Sequence, residues 1–148
     1  IFEPLFSEAS WSERIEMDVM ALLNAELAVA AFLISFGALL GKLSPKQLVV
    51  LIIWESLCYC AHKKLILERW LDIKDCGGTI IIHMFGAYFG LACAYVLGPP
   101  SSTKKEKASI VSDLTSLIGT TFLWVYWPSF VAGILPPGVP RELALTNT

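Results

Sequence analysis

The sequence is short of charge. Acids and bases make up only 16% of its 148 residues, whereas 55% are hydrophobic, too apolar a balance for an ordinary soluble domain. A net charge of −2 offers nothing to a polyelectrolyte, so nucleic acid is not expected as a partner. Histidines number two and cysteines four. Cys58-Tyr-Cys60 with a distant Cys76 lacks the ligand spacing of a zinc site, and we expect neither metal nor other cofactor. Cys58, Cys60, Cys76 and Cys93 read as small buried hydrophobes. There is no Gly-x-Ser-x-Gly, no phosphate-cradling loop and no His-Glu-x-x-His, which argues against an enzyme.

What the chain has instead is long apolar runs. They cover residues 25–41, 48–61, 76–97 and 114–135, separated by charged or proline-rich joints. A bilayer core takes roughly 20 helical residues to cross, and three runs come close to that. The second is shorter and carries Glu55, so it spans if Lys63 and Lys64 snorkel. The expected fold is all-α, a polytopic membrane bundle of about four transmembrane helices. Residues 1–23 form a polar, amphipathic N-terminal segment, 24–135 the membrane domain, and 136–148 a loop with the start of a further helix. The chain starts without Met and stops abruptly, and is expected to be a fragment.

Local signals mark the helix ends. Ser44 caps the second span with Pro45 at its first position, where a missing N–H costs nothing, so the first two spans form a tight hairpin. Asp75 caps the third, favoured by the helix dipole. Ser112-Asp113 caps the fourth, and Pro136-Pro-Gly-Val-Pro140 closes it. Lysine and arginine fall on both sides of the four spans, so charge alone leaves sidedness open.

The richest stretch is Asp75-Cys-Gly-Gly-Thr-Ile-Ile-Ile-His83-Met-Phe-Gly-Ala-Tyr-Phe-Gly90. On a regular helix Asp75, Thr79, His83, Gly86 and Gly90 share a face. That face is narrow, mostly dry and interrupted by a single imidazole, which suggests a pore lining more than a catalytic cleft. A lone core histidine is usually structural in a soluble protein. Inside a membrane span an ionisable group normally faces an interior or a cavity, which favours function. For Asp75 capping and cation attraction weigh about equally. Gly86 and Gly90 make a small-xxx-small packing pattern, a common signal.

In the fourth span, Trp124-Val-Tyr-Trp127-Pro-Ser-Phe130 reads either as an interface belt or as a gate. The gate reading has Pro128 kink the helix and turn Phe130 inward. Glu26 is expected at the start of the first span, exposed at the interface. Glu55, well inside the second, needs a partner or a wet face.

Three segments resemble the Rh (Rhesus) glycoprotein branch of the ammonium transporter superfamily. They are Leu33-Ile-Ser-Phe-Gly-Ala-Leu-Leu-Gly-Lys-Leu-Ser-Pro45, Lys74-Asp-Cys-Gly-Gly-Thr with Ile82-His-Met-Phe-Gly-Ala-Tyr-Phe-Gly-Leu91, and Ser112-Asp-Leu with Ile118-Gly-Thr and Phe122-Leu-Trp-Val-Tyr-Trp-Pro-Ser-Phe130. The resemblance implies a parent transporter of eleven or twelve helices, a homotrimer with a pore in each subunit, multi-pass in the plasma membrane. This chain would then hold its third to sixth helices, with the next beginning at Thr146.

On the same footing, the resemblance implies conduction of ammonium as neutral ammonia, and of carbon dioxide in some members. His83 matches the first of two pore histidines, Asp75 an acid near the outer mouth, and Phe130 one of two gate phenylalanines beside Trp127. Asp75 and Phe130 would face outside, and the loop of Lys104 to Lys107 the cytoplasm. There are two departures. Leu27, after Glu26, stands where relatives carry the other gate phenylalanine, implying a wider gate. Lys64 stands where they place a vestibule glutamate. The alternative is a non-conducting Rh-like membrane scaffold.

Overall fold

A computed structural model describes residue 5, residues 17–100 and residues 107–148. Most of the N-terminal amphipathic segment, and the loop lysines at 104 and 105, lie outside the described residues. Among the described residues every regular element is helical. Five α-helices form: α1 (Val19–Leu39), α2 (Pro45–Ala61), α3 (Phe85–Leu97), α4 (Ile110–Ala132) and α5 (Val139–Asn147). The expected all-α class is what the chain adopts. Val19–Leu39 and Cys76–Leu97 are long and apolar enough to cross a membrane. α2 has 17 residues and α4 has 23.

The helix starts follow capping chemistry, in places earlier than the sequence suggested. α1 begins at Val19 because the Asp18 carboxylate accepts the Ala21 amide at 2.7 Å. Glu26 therefore sits well inside a helix rather than at its start, and is exposed there. Ser44 caps α2 as expected. It accepts the Gln47 amide, while the Gln47 side chain accepts the Ser44 amide at 2.9 Å, a reciprocal box behind Pro45. For α4 the cap is Ser109, whose hydroxyl accepts the Ser112 amide at 3.1 Å, not the expected Ser112-Asp113. The proline-rich segment ends α4, but its last proline opens α5. The following helix thus begins at Val139 rather than at Thr146. α4 runs on through Pro128 as one helix.

Two compact units result, residues 1–99 and residues 100–148. In the first, α1 and α3 make the tightest pair, and their small residues show why. A Cβ built on Gly86 would fall 2.6 Å from the Ala31 carbonyl oxygen, and one on Gly90 would fall 2.9 Å from the Ser35 Cα. Residues 31 and 35 thus pair with 86 and 90 in the same order, so α1 and α3 run parallel. The hairpin at Ser44 sends α2 back between them in chain order. Aromatic rings add edge contacts at this junction. Tyr59 of α2 meets Phe32 of α1 at 5.8 Å and Phe85 of α3 at 5.6 Å between centroids.

The core of this unit is small: Ala31, Ser35, Leu39, Glu55, Tyr59, Leu67, Ile81 and Ile82. Outside it, large apolar side chains are open, among them Leu33, Trp54, Tyr95 and, in the second unit, Leu123 and Trp124. Water does not tolerate so much contiguous apolar surface, but lipid and further membrane helices do. Cys58 and Cys76 are also exposed, correcting their reading as buried. The helix faces they occupy are not covered by the other helices of this unit.

Candidate functional site

Between Asp75 and Phe85 the backbone departs from the regular helix expected over this stretch. Gly77 and Gly78 hold φ of 76° and 72°, a left-handed region that side chains with a Cβ rarely enter. They close a short 3₁₀ turn (Cys76–Gly78) and open a wide π-type turn, Thr79–Met84. α3 follows directly. Because a π turn is wider than an α turn, the stripe of Asp75, Thr79, His83, Gly86 and Gly90 does not run straight along one face.

Asp75 folds over this start. Its Oδ2 accepts the Ile80 amide at 2.9 Å and the Ile81 amide at 2.7 Å. The carboxylate thereby satisfies two of the orphan amides at the head of a membrane helix, reaching past both glycines to do so. His83 follows in the wide turn. It is half-buried, and its Nε2 is shut off from solvent. The structure therefore places Asp75 just before the 3₁₀ turn and His83 in the π-type turn that follows, whose Ile80 and Ile81 amides the Asp75 carboxylate binds. π turns recur at functional positions in helices.

Leu27 is half-buried on α1. Since residues 31 and 35 pair with 86 and 90, Leu27 stands about one turn before Ala31, at roughly the height of His83 in the parallel pair. Glu26 is next to it and exposed. Phe130 and Trp127 belong to the second unit, where their rings stack with centroids 5.4 Å apart and planes 18° apart. Phe130 is half-buried and Trp127 is 37% exposed.

Two residues gain meaning only from the fold. His62 begins a second π-type segment, His62–Trp70, that continues α2. Its ring lies 5.4 Å from that of Phe85. Burial lowers its pKa from the ordinary histidine value, and the Asp75 carboxylate opposes that shift by favouring the charged form. Lys64, in the same segment, pairs with Glu68 at 2.9 Å. The positive charge read from sequence at position 64 is therefore matched by an acid one turn on. Glu55, whose partner the sequence does not reveal, is bound by the Ser35 hydroxyl.

The sequence profile of the Ammonium Transporter Family matches residues 8–147. The chain belongs to that family. Among similar curated members are ammonium transporter Rh type B of Danio rerio, 44% identical over 91% of the chain, and Rh type C of Bos taurus, 39% identical over 90%. Rh type A of Mus musculus is 39% identical over 94%. The chain spans only 30%, 30% and 32% of these ammonium transporters respectively, so it corresponds to part of an Rh protein. No solved structure matches it.

Proposed function

We propose that this chain is part of the pore wall of an Rh-type ammonium channel, with residues 24–135 forming its membrane domain here. The observation that carries the reading is the Asp75 to His83 element. An acid is fastened to the head of a membrane helix, two left-handed glycines bring backbone close beside it, and one imidazole follows within an otherwise apolar wall.

The chemistry follows from solvation. A bare ammonium ion is too costly in an apolar passage, so it gives its proton to bulk water near the mouth, where Asp75 and the exposed Glu26 favour cations. Neutral ammonia then passes His83, which both donates and accepts hydrogen bonds, and regains a proton on leaving. Carbon dioxide, a small neutral solute, is compatible with the same passage. We assign Phe130, with Trp127 stacked on it, to the aromatic gate, and Leu27 on α1 to the position of the second gate residue, where its smaller side chain leaves the gate wider. The Lys64–Glu68 pair offsets the lysine that replaces a vestibule acid. The full-length protein is proposed to act as a homotrimer in the plasma membrane, with the lipid bilayer and its own copies as partners and with no catalytic residue or cofactor.

Reconstitution tests this reading. The full-length protein in proteoliposomes is given an inward ammonium gradient, and internal pH is followed by stopped flow. Alkalinisation faster than in empty vesicles is the expected result. A rate equal to that of empty vesicles, from folded protein, would support the scaffold reading instead, which Leu27 in place of a gate phenylalanine favours.

A further inference from the structure

Among the described residues, Glu55 and Ser35 are polar side chains in the core of the first unit, 1% and 0% exposed. They meet where three helices converge. The Ser35 Oγ of α1 lies within hydrogen-bonding distance of the Glu55 Oε1 of α2, and 2.9 Å from the Gly86 carbonyl of α3. The carbonyl of its own helix, at Ala31, is farther off at 3.4 Å. Among the described residues no lysine or arginine pairs with Glu55, and its other neighbours include Phe32, Leu51 and Ile52 along an apolar pocket.

Counting protons decides how this cluster is wired. Two close oxygen–oxygen contacts flank the Ser35 Oγ, and a buried contact between oxygens is favourable only with a proton in it. A serine hydroxyl brings one proton. If Glu55 were ionised, that single proton would have to serve both the carboxylate and the Gly86 carbonyl, and one contact would be left as two facing lone pairs. If Glu55 keeps its proton, both contacts are filled: the acid donates to the Ser35 Oγ, and the Ser35 hydroxyl donates to the Gly86 carbonyl.

We propose that Glu55 and Ser35 are positioning residues for His83, acting through a two-proton relay from Glu55 to Ser35 to the Gly86 carbonyl. Gly86 lies one turn beyond His83, at the junction between the wide turn and α3. Its missing side chain also lets the Ala31 carbonyl approach. Pinning that carbonyl sets the height and rotation at which the imidazole is presented. The inference rests on His83 lining a conducting pore, whereas the wiring of the relay can be read without any transport.

The experiment uses the full-length protein carrying Glu55→Gln, Glu55→Ala or Ser35→Ala. Infrared difference spectra of wild type against Glu55→Gln at neutral pH should show the carbonyl stretch of a protonated carboxylic acid, lost in the variant. A carboxylate band in its place would overturn the relay. In flux assays, glutamine still donates an N–H to Ser35, so Glu55→Gln should stay within about twofold of wild type, while Glu55→Ala and Ser35→Ala fall roughly tenfold. That fall should lie in the maximal rate and leave half-saturation unchanged, because the mouth at Asp75 is untouched. A Glu55→Gln flux as low as that of Glu55→Ala, in folded protein, would also overturn the proposal. If alanine at 55 prevents folding, the infrared band and the glutamine variant still decide. If wild type conducts nothing, the channel reading fails, and the spectra report on the relay alone.

Discussion

Gly86→Ala is expected to cost the full-length protein about 1–3 kcal/mol or more, because the added methyl overpacks a contact with little room to relax. Its Cβ would lie 2.6 Å from a backbone oxygen of α1 and 3.0 Å from the Ile34 Cβ. Backbone cannot swing aside as the end of a flexible side chain can, so α1 and α3 must separate. Separation would also pull the Ser35 hydroxyl off the Gly86 carbonyl. Gly37 and Gly119 supply the internal control, since a Cβ at either meets nothing within 4 Å in this chain. Alanine at either should cost less than at Gly86, because it clashes with no helix of this chain. Thermal unfolding of the detergent-solubilised full-length protein, followed by monodisperse chromatography after heating, measures both. Equal stability of Gly86→Ala and wild type would contradict the parallel packing of α1 and α3.

The second large effect is expected at Asp75, where two roles can be separated by substitution. Asp75→Ala removes the acceptor for the Ile80 and Ile81 amides, and each hydrogen bond to a charged group contributes about 1.5–3 kcal/mol. With two left-handed glycines immediately before the helix, no neighbouring side chain is placed to take over the cap. Destabilisation and loss of flux are both expected. Asp75→Asn keeps a side-chain oxygen that can accept from these amides but removes the negative charge. It should fold nearly as well as wild type and conduct less at low ammonium, where attraction of the cation to the mouth limits uptake. Flux against ammonium concentration, alongside unfolding temperature, checks this. An Asn variant indistinguishable from wild type in both would leave Asp75 as a cap alone.

Much of this fold was legible in the sequence because helix ends carry local chemistry. The Ser44-Pro45 start of α2 and the all-α class follow from capping residues and blocky apolar runs, and the structure has both. α1, α4 and α5 start earlier than the long apolar runs indicate, because Asn24 and Ser112-Asp113 interrupt the first turns of α1 and α4 with polar residues, and Pro140 lies in the first turn of α5. The π-type turns escaped for a different reason. Hydrophobic periodicity assumes a fixed rise and twist, whereas the widening at Thr79–Met84 follows from two adjacent glycines at positive φ. The Glu55–Ser35 partnership was invisible because it joins residues on separate helices through a shared carbonyl on a third. Sequence showed that Glu55 needed a partner and could not say which.

The same limits apply to the candidate site. Asp75 and His83 are legible in the sequence as an acid and an imidazole bounding an apolar run. In the structure Asp75 flanks the 3₁₀ turn and His83 occupies the π-type turn after it. Lys64 reads from sequence as a lysine in place of an acid, and the structure pairs it with Glu68. His62 carries no comparable signal in the sequence, because only the folded chain sets its ring beside Phe85.

The most direct test of a pore at His83 compares full-length wild type and His83→Ala, reconstituted at equal density, in one stopped-flow ammonium-gradient experiment with membrane current recorded in parallel. The account predicts fast alkalinisation by wild type and a slowed or altered response from the variant, with any voltage-dependent current abolished if the imidazole relays protons. Identical kinetics in the two proteins, both well above empty vesicles, would show that the solute does not pass His83.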